Sequence, residues 1–409
     1  MKKRVIKKII WILFCLFLTG IREETVSAWE VMKEMPYGNI VVYKKTDYEK
    51  IDDKKIEDIE IDYEELDYEE IQNALEGILK ESSFDFKEAV KSVMEGENIL
   101  SPERILSVAF EVMKQAVLQE KEVIARVLVI AVAGAVFVNF SNVFKSSAVA
   151  DVSFFVTYLL LFSAMTTSFY SISQTAERAL HSLLDFMRAL LPSYFIAVTF
   201  ATGSTVSFAF YEMAMMLIFV AEYIIVKCVL PLVHIYFVIR LVNYISKEDY
   251  LSKAAELLET LVKWAVRSIL GITVGYNTIQ GLIVPAAEHV KNSVVLKTAK
   301  LLPGIGNVFG AVAESVLGAG VLVKNAVGTV GMVVVILIMA VPIIKIGSYC
   351  IVYKLSTALI QPVLDKRILE CMEGAVKGAS LLLYVLSAGT AMFLLTIAIV
   401  MASTNRVLV

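Results

Sequence analysis

The chain has 409 residues, of which 57% are hydrophobic and only 19% are charged, and its mean hydropathy is +0.70. This apolar content lies well above that of soluble globular proteins and excludes that class. The net charge of −3 says little by itself, because the charges are unevenly placed along the chain. The composition therefore predicts an all-α protein that crosses a membrane several times.

The N-terminus has the three parts of a secretory signal peptide. The region from Lys2 to Lys8 is basic, residues 9–20 form an apolar core, and the tripeptide VSA ends at Ala28 with small residues at the cleavage positions. The bulky Phe14 before Cys15 disfavours a lipoprotein site. We predict a signal peptide at residues 1–28. An uncleaved signal anchor is the alternative, although the apolar core is short for a full span.

Residues 29–70 form an acidic segment in which the triplet DYE recurs around Tyr48, Tyr63 and Tyr68. Repulsion between like charges keeps such a segment extended, so we predict a solvated and flexible stretch. A docking strip for a basic partner is the alternative.

Residues 71–122 change to a helical periodicity. Two groups of apolar residues each share a helical face, and Ser101 followed by Pro102 and Glu103 is typical of a further helix start. The first group is Ile71, Leu75, Ile78 and Leu79, and the second is Phe86, Val90, Val93 and Met94. The pattern predicts a small extracytoplasmic region of amphipathic helices.

Residues 123–409 are predicted to form a polytopic membrane domain. At 1.5 Å per residue, about 20 apolar residues match a hydrocarbon core of about 30 Å. Six stretches approach or exceed that length: 127–144, 152–170, 213–239, 268–286, 329–353 and 378–402. Two amphipathic segments, 175–192 and 250–265, are predicted to lie along the membrane interface.

The basic connections fix the predicted orientation. Residues 240–267 and 354–377 are rich in lysine and arginine, so both are expected in the cytoplasm. This requires one upstream segment not to cross, and 193–210, with Gly203 and several hydroxyl side chains, is the candidate. We therefore predict six crossings and an extracytoplasmic C-terminus.

The segment 301–328 is apolar but rich in glycine, and it predicts broken or re-entrant helices that protein or a water-filled cavity shields from lipid. Close packing of ordinary helices through pairs of small residues is the alternative. The residues with one of these two roles are Pro231, Gly271, Gly275, Pro303, Gly304, Gly306, Gly310, Gly318, Gly320 and Gly328.

Polar residues inside apolar stretches are the candidate functional residues. An ionisable group near the bilayer centre costs about 2.5–3.5 kcal/mol, so it normally faces protein or water. The candidates for a conduit or intramembrane polar role are Glu222, Lys227, Glu314, Lys324, Asn325 and Lys345. For Lys324 and Lys345, an ammonium group that reaches the headgroups is the alternative. No catalytic, cofactor-binding or metal-binding motif is present in the sequence, and no nucleic-acid partner is expected.

Several short motifs resemble the stage III sporulation protein AE family. They are RALLP (188–192), KCVLPLV (227–233), LKTAK (296–300), VLVKNAVG (321–328), PIIKI (342–346), YKLSTALIQP (353–362) and DKRI (365–368). The resemblance covers the signal peptide and essentially all of residues 125–405. The acidic DYE segment does not share it.

The resemblance implies a multi-pass protein of the mother-cell membrane that surrounds the forespore. Its expected partners are the other stage III sporulation A proteins, including an ATPase similar to secretion motors and ring-forming subunits, which together form a channel to the forespore. The resemblance implies no catalytic residues. A secondary transporter for a small molecule and a scaffold that conducts nothing remain as alternatives. A convincing inverted repeat would favour the transporter, and the sequence contains only a weak one, near 175–239 and 250–353.

Overall fold

The computed structural model describes residues 68–78, 84–96, 147–202, 205–244, 250–299, 306–362 and 366–404, together with isolated positions between 110 and 136. Every regular element in these residues is a helix, so the all-α prediction is confirmed. Four helical segments are long and apolar enough to cross a membrane, which confirms the polytopic prediction. They are Phe154–Val198, Met216–Asn243, Gly318–Ile360 and Lys366–Ala402.

Within the continuous ranges just given, eight α-helices follow one another. They are α1 (Tyr68–Ile78), α2 (Phe86–Met94), α3 (Ser147–Thr202), α4 (Thr205–Ile224), α5 (Leu230–Asn243), α6 (Ser252–Ala299), α7 (Gly306–Ile360) and α8 (Lys366–Thr404). A π-helix, Ile225–Val229, joins α4 to α5 without a break.

The two short N-terminal helices bury the faces that the sequence predicts. Ile71 and Phe86 are fully buried, and Asp85 caps α2 by accepting a hydrogen bond from the backbone N–H of Glu88 at 2.9 Å. The Gln72 side chain joins the two helices, because it donates to the Phe84 carbonyl and accepts from the Phe86 N–H, both at 3.1 Å. Helix α1 packs against α3 and α2 against α7, so this region rests on the membrane helices. The predicted helix start at Ser101 lies outside the described residues.

Helix α3 corrects the predicted interfacial helix at 175–192. It has 56 residues, or about 84 Å, and continues through Pro192 without interruption. Leu183 and Met187, on the apolar side of the predicted interfacial helix, are fully buried in the bundle. Because that side packs against protein rather than against a lipid surface, the segment stays in line with the flanking apolar residues. The predicted non-crossing segment 193–210 is likewise divided between the end of α3 and the start of α4.

Helix α6 corrects the second interfacial prediction in the same way. Residues 252–265 of that segment and the predicted span 268–286 belong to one helix of 48 residues. This helix is not among the four segments that are apolar enough to cross a membrane. The predicted span 127–144 lies outside the continuously described residues, so four of the six predicted spans have counterparts.

The predicted break within 301–328 is wrong for its described part. Residues 306–328 are the first part of α7, a continuous helix of 55 residues. In an apolar environment each backbone N–H and C=O group must be hydrogen-bonded within the protein, and a helix does this within its own segment. This requirement outweighs the low helix propensity of glycine. At Gly328 an added Cβ would lie 2.7 Å from the Met401 sulfur and 3.2 Å from the Tyr194 ring, so the alternative of close packing applies there. Pro303 and Gly304 lie outside the described residues.

The other glycines do not all share this role. Gly271, Gly275 and Gly318 have no described neighbour within 4 Å of an added Cβ, so the close packing predicted around them is not found. Gly320 is buried, whereas only the backbone is described at Gly306 and Gly310.

Pro231 does not break its helix. It lies in the first turn of α5, directly after the π-helix, and the chain remains helical on both sides. A π-turn inserts one extra residue, and a proline at the start of the following segment removes an N–H that the irregular turn leaves without its usual partner.

Helix α8 is the centre of the bundle, and close contacts fix the direction of its neighbours. Gly378 and Gly389 lie against Phe169 and Leu180, so α3 runs parallel to α8. The hydrogen bond from Asn277 to Thr396 and the hydrogen bond from Tyr236 to Glu259 orient α6, which is also parallel to α8.

Helices α5 and α7 run in the opposite direction. Arg240 and Phe237 of α5 lie against Gly374 and Gly378 of α8. On α7, Gly328 lies against Met401, and Cys350 contacts Ser380 with 3.8 Å between Sγ and Oγ. With α4, the π-helix and α5 counted as one continuous helix, the helices from α3 to α8 therefore alternate in direction. This arrangement places the basic connections 240–267 and 354–377 near the same end of the bundle; their cytoplasmic side stays a prediction.

A hydrogen bond from Tyr236 to Glu259 holds the first half of α6 against α5, and an ion pair within α6 orients the Glu259 side chain. The Lys263 Nζ lies 2.6 Å from the Glu259 Oε1, and the Tyr236 hydroxyl donates to the Glu259 Oε2 at 3.2 Å. Burial acts to raise the pKa of Glu259, but the hydrogen bond and charge of Lys263, the hydrogen bond of Tyr236 and the charge of Arg240 outweigh it. The pKa of Glu259 is therefore lowered.

Candidate functional site

Glu222 is a carboxylate buried among membrane helices. Its residue exposure is 2%, and neither carboxylate oxygen has a hydrogen-bond partner among the described residues. Arg188 and Asp185 of α3 interact electrostatically with the Glu222 side chain. The Arg188 guanidinium lies over the Phe219 ring, 5.1 Å from its centroid. Since a buried polar group without a partner is costly, its presence in an apolar helix calls for a functional explanation.

Three further polar side chains are buried at a similar depth. The Asn277 amide donates to the Thr396 hydroxyl at 2.8 Å, while the Asn277 Oδ1 has no partner among the described residues. Gln280, one turn further along α6, is 3% exposed, and both of its amide atoms are without a described partner. We call Glu222, Asn277, Gln280 and Thr396 the polar layer.

Two independent contacts place Glu222 in this layer. The Tyr236–Glu259 hydrogen bond sets the register between the antiparallel helices α5 and α6. An equal number of residues, counted back from Tyr236 and forward from Glu259, places Glu222 level with Thr273. Through Arg188 of α3, the parallel register of α3 and α8 places it level with Ile397, the residue after Thr396. Both routes put Glu222 within about one to two helical turns of Asn277 along the bundle axis.

Lys324 lies near this layer, towards the C-terminal end of α8. It is fully buried, and its Nζ donates to the carbonyl of Met401 at 3.4 Å. The ammonium group therefore does not reach the bundle surface, contrary to the headgroup alternative. The neighbouring Asn325 is half-buried, and its Oδ1 has no partner among the described residues.

The remaining candidates do not join the layer. Lys227 is exposed and belongs to the π-helix. Lys345 is half-buried on α7. Glu314 lies in the early turns of α7, where only the backbone is described. The structure thus brings Glu222 and Lys324 into the interior and leaves Lys227 on the surface.

Sequence reasoning missed Asn277, Gln280 and Thr396. Their signal was weak, since isolated amides and hydroxyls are common in membrane helices. The spacing of three residues between Asn277 and Gln280 was a usable sign, because it places both on one face of α6.

Aromatic side chains support the opposite end of the bundle. The rings of Phe169 and Phe237 stack with 3.8 Å between centroids and 6° between planes, and Ser173 is hydrogen-bonded to His234 beside them. The Tyr158 hydroxyl donates to the carbonyl of Leu241. These contacts lock α3 to α5 and thereby fix the depth of Arg188 and Glu222.

The polar layer has a chemistry suited to polar solutes rather than to covalent catalysis. A carboxylate, two amides and a hydroxyl can exchange hydrogen bonds with water, a cation or a polar backbone segment. Within the described ranges, no three histidine, cysteine, aspartate or glutamate side chains are grouped as metal ligands. The layer is therefore a group of buried polar side chains among apolar helices.

Comparison with known proteins agrees with the motif resemblance. A family model for stage III sporulation protein AE matches residues 84–404. Stage III sporulation protein AE of Bacillus subtilis (strain 168) is 25% identical over 335 residues, which cover 80% of this chain and 82% of that protein. No solved structure matches the chain. Because the family model spans most of the sequence, the chain belongs to the stage III sporulation protein AE family.

Proposed function

We propose that this protein is a non-enzymatic membrane component of the sporulation channel or secretion-like complex that links mother cell and forespore, and that forespore development needs it. It would reside in the mother-cell membrane around the forespore. Its partners would be the other stage III sporulation A proteins, including a secretion-type ATPase and ring-forming subunits.

The observation that carries this proposal is the polar layer with the nearby Lys324. A simple anchor has no need of a buried carboxylate and a buried ammonium group, each of which costs about 2.5–3.5 kcal/mol in a membrane helix. Glu222 and Lys324 are 2% and 0% exposed, so they do not avoid this cost by reaching solvent. The energetic cost of burying these two side chains supports a role for them in conducting polar solutes or in binding a neighbouring subunit.

Substitution at the buried charges tests the proposal. Glu222→Leu and Lys324→Met should each lower the yield of heat-resistant spores at least tenfold, with the protein present at its normal level. Lys253→Met is the matched control, because this lysine side chain is 87% exposed. The double replacement of Glu314 and Lys324 should also weaken copurification with the ATPase and the ring-forming subunits. Normal sporulation and normal assembly in these variants would refute the proposal.

A secondary transporter is the second candidate, and the π-helix next to Glu222 favours it. Local π-turns often mark functional positions, and here Ile225 begins one three residues after a carboxylate without a described partner. Reconstitution separates the two functions. A transporter should bind or move a solute when purified alone, whereas a channel subunit should require its partners. A scaffold would do neither.

A further inference from the structure

Helix α3 presents a polar stripe on the outside of the bundle. Its members lie on one side of the helix and are all exposed: Gln174, Glu177, Arg178, His181, Asp185 and Arg188. The side chains of Asp185 and Arg188 are 62% and 48% exposed, with 3.8 Å between the Asp185 Oδ1 and the Arg188 Nη1. We call this stripe the polar face of α3. The opposite side of the helix, at Leu180 and Leu183, is buried.

The contacts with α8 give the depth of this face. Residues 378–402 of α8 are free of charged residues, and a hydrocarbon core needs about 20 residues of helix. A membrane-spanning segment of about 20 residues, wherever it lies within 378–402, contains residues 383–397. The contacts of Phe169 with Gly378 and of Leu180 with Gly389 place 174–188 of α3 level with that stretch. The polar face of α3 therefore lies at the depth of the hydrocarbon core of the membrane.

Lipid is an unsuitable neighbour for this face. Each charged side chain at the bilayer centre costs about 2.5–3.5 kcal/mol, and the face carries four formal charges near that depth. These side chains are too far from a helix end to reach the headgroups easily. The face therefore requires water or protein at membrane depth.

We infer that the polar face of α3 borders a water-filled passage, which further copies of this chain enclose. This inference rests on the proposed function and specifies which surface faces the passage. The formal charges of Glu177 and Asp185 balance those of Arg178 and Arg188. Because the face has no net charge, several copies can gather around one axis without net repulsion. The buried Glu222 lies behind this face, next to Arg188.

Cysteine labelling of the full-length chain tests the inference. The four native cysteines are first replaced by alanine, and single cysteines are introduced by Asp185→Cys and His181→Cys. Matched controls are Ile336→Cys and Leu395→Cys, which lie at the same depth and are 42% and 41% exposed. The probe is a membrane-impermeant cationic methanethiosulfonate, added to intact membranes. Gln174→Cys removes no charge and serves as the polar-face variant if the other two fail to fold.

The polar-face cysteines should react at least tenfold faster than the controls, and native mass spectrometry of the solubilised chain should find more than one copy. Polar-face cysteines as protected as Ile336→Cys would overturn the inference, as would equal labelling of all positions, since the latter places the bundle outside the bilayer. A labelled but monomeric chain would overturn enclosure by further copies. Copurification of the unaltered chain with the ATPase and ring subunits is scored separately, so that failure here is distinguishable from failure of the proposed function.

Discussion

Replacing Gly378 by alanine should destabilise the bundle, because the added methyl group has no room. An ideal Cβ at this position lies 2.7 Å from Cδ2 of Phe237 and 3.4 Å from Cε2 of Phe169. The Phe237 ring cannot withdraw freely, since it stacks on Phe169 with 3.8 Å between centroids. Overpacking of this kind costs about 1–3 kcal/mol, against a gain of about 0.5–1 kcal/mol for alanine over glycine in a helix.

Gly347→Ala provides the matched control. Gly347 lies inside α7, and an added Cβ there meets no described atom within 4 Å. The helix-propensity gain is the same in both variants, so the difference in their free energies of unfolding isolates the overpacking cost of about 1–3 kcal/mol.

Reversible unfolding of the purified chain in mixed micelles, with increasing dodecyl sulfate and helicity followed by circular dichroism, measures this difference. If Gly378→Ala were as stable as Gly347→Ala, the close contact between α3, α5 and α8 would not exist. The depth assigned to the polar face of α3 would then lose its basis.

Three further predictions use the same unfolding measurement. Lys324→Ala should lower the free energy of unfolding by about 2 kcal/mol more than Lys324→Met, because only alanine leaves a cavity at this fully buried position; equal losses would contradict its burial. A double-mutant cycle with Asn277→Ala and Thr396→Val should give a coupling of about 0.5–1.5 kcal/mol, and additive effects would mean that the 2.8 Å hydrogen bond does not form. The lowered pKa of Glu259 stabilises the fold above its unfolded-state pKa of about 4.3, and this contribution is lost as the pH falls through the folded-state value. The unaltered protein should therefore lose more stability on acidification than Glu259→Gln, and identical pH profiles would argue against the ion pair.

The class and the main membrane segments of this fold could be predicted from sequence, because length and apolarity alone determine where a helix can enter a bilayer. The predicted spans 329–353 and 378–402 fall within α7 and α8. Amphipathic periodicity was equally informative at Ile71 and Phe86, where the predicted faces are buried.

What surrounds a helix could not be predicted in the same way. The pattern at 175–192 has the same periodicity whether its apolar side meets lipid headgroups or other helices, so α3 was divided incorrectly. The glycines of 306–328 suggested a break, because their local propensity is visible in the sequence while the helices that pack on them are not. Burial of Lys324 depends on the distant Met401, and no local pattern around residue 324 indicates that contact.

The great length of the helices has a mechanical consequence. Helix α3 extends about 84 Å, close to three times the thickness of a hydrocarbon core of about 30 Å. Lipid can surround only a short section of such a rod, and the remainder must stand clear of the bilayer on one side or both. Since no loop interrupts it within Ser147–Thr202, the parts of α3 on either side of the hydrocarbon core are mechanically connected by continuous helix.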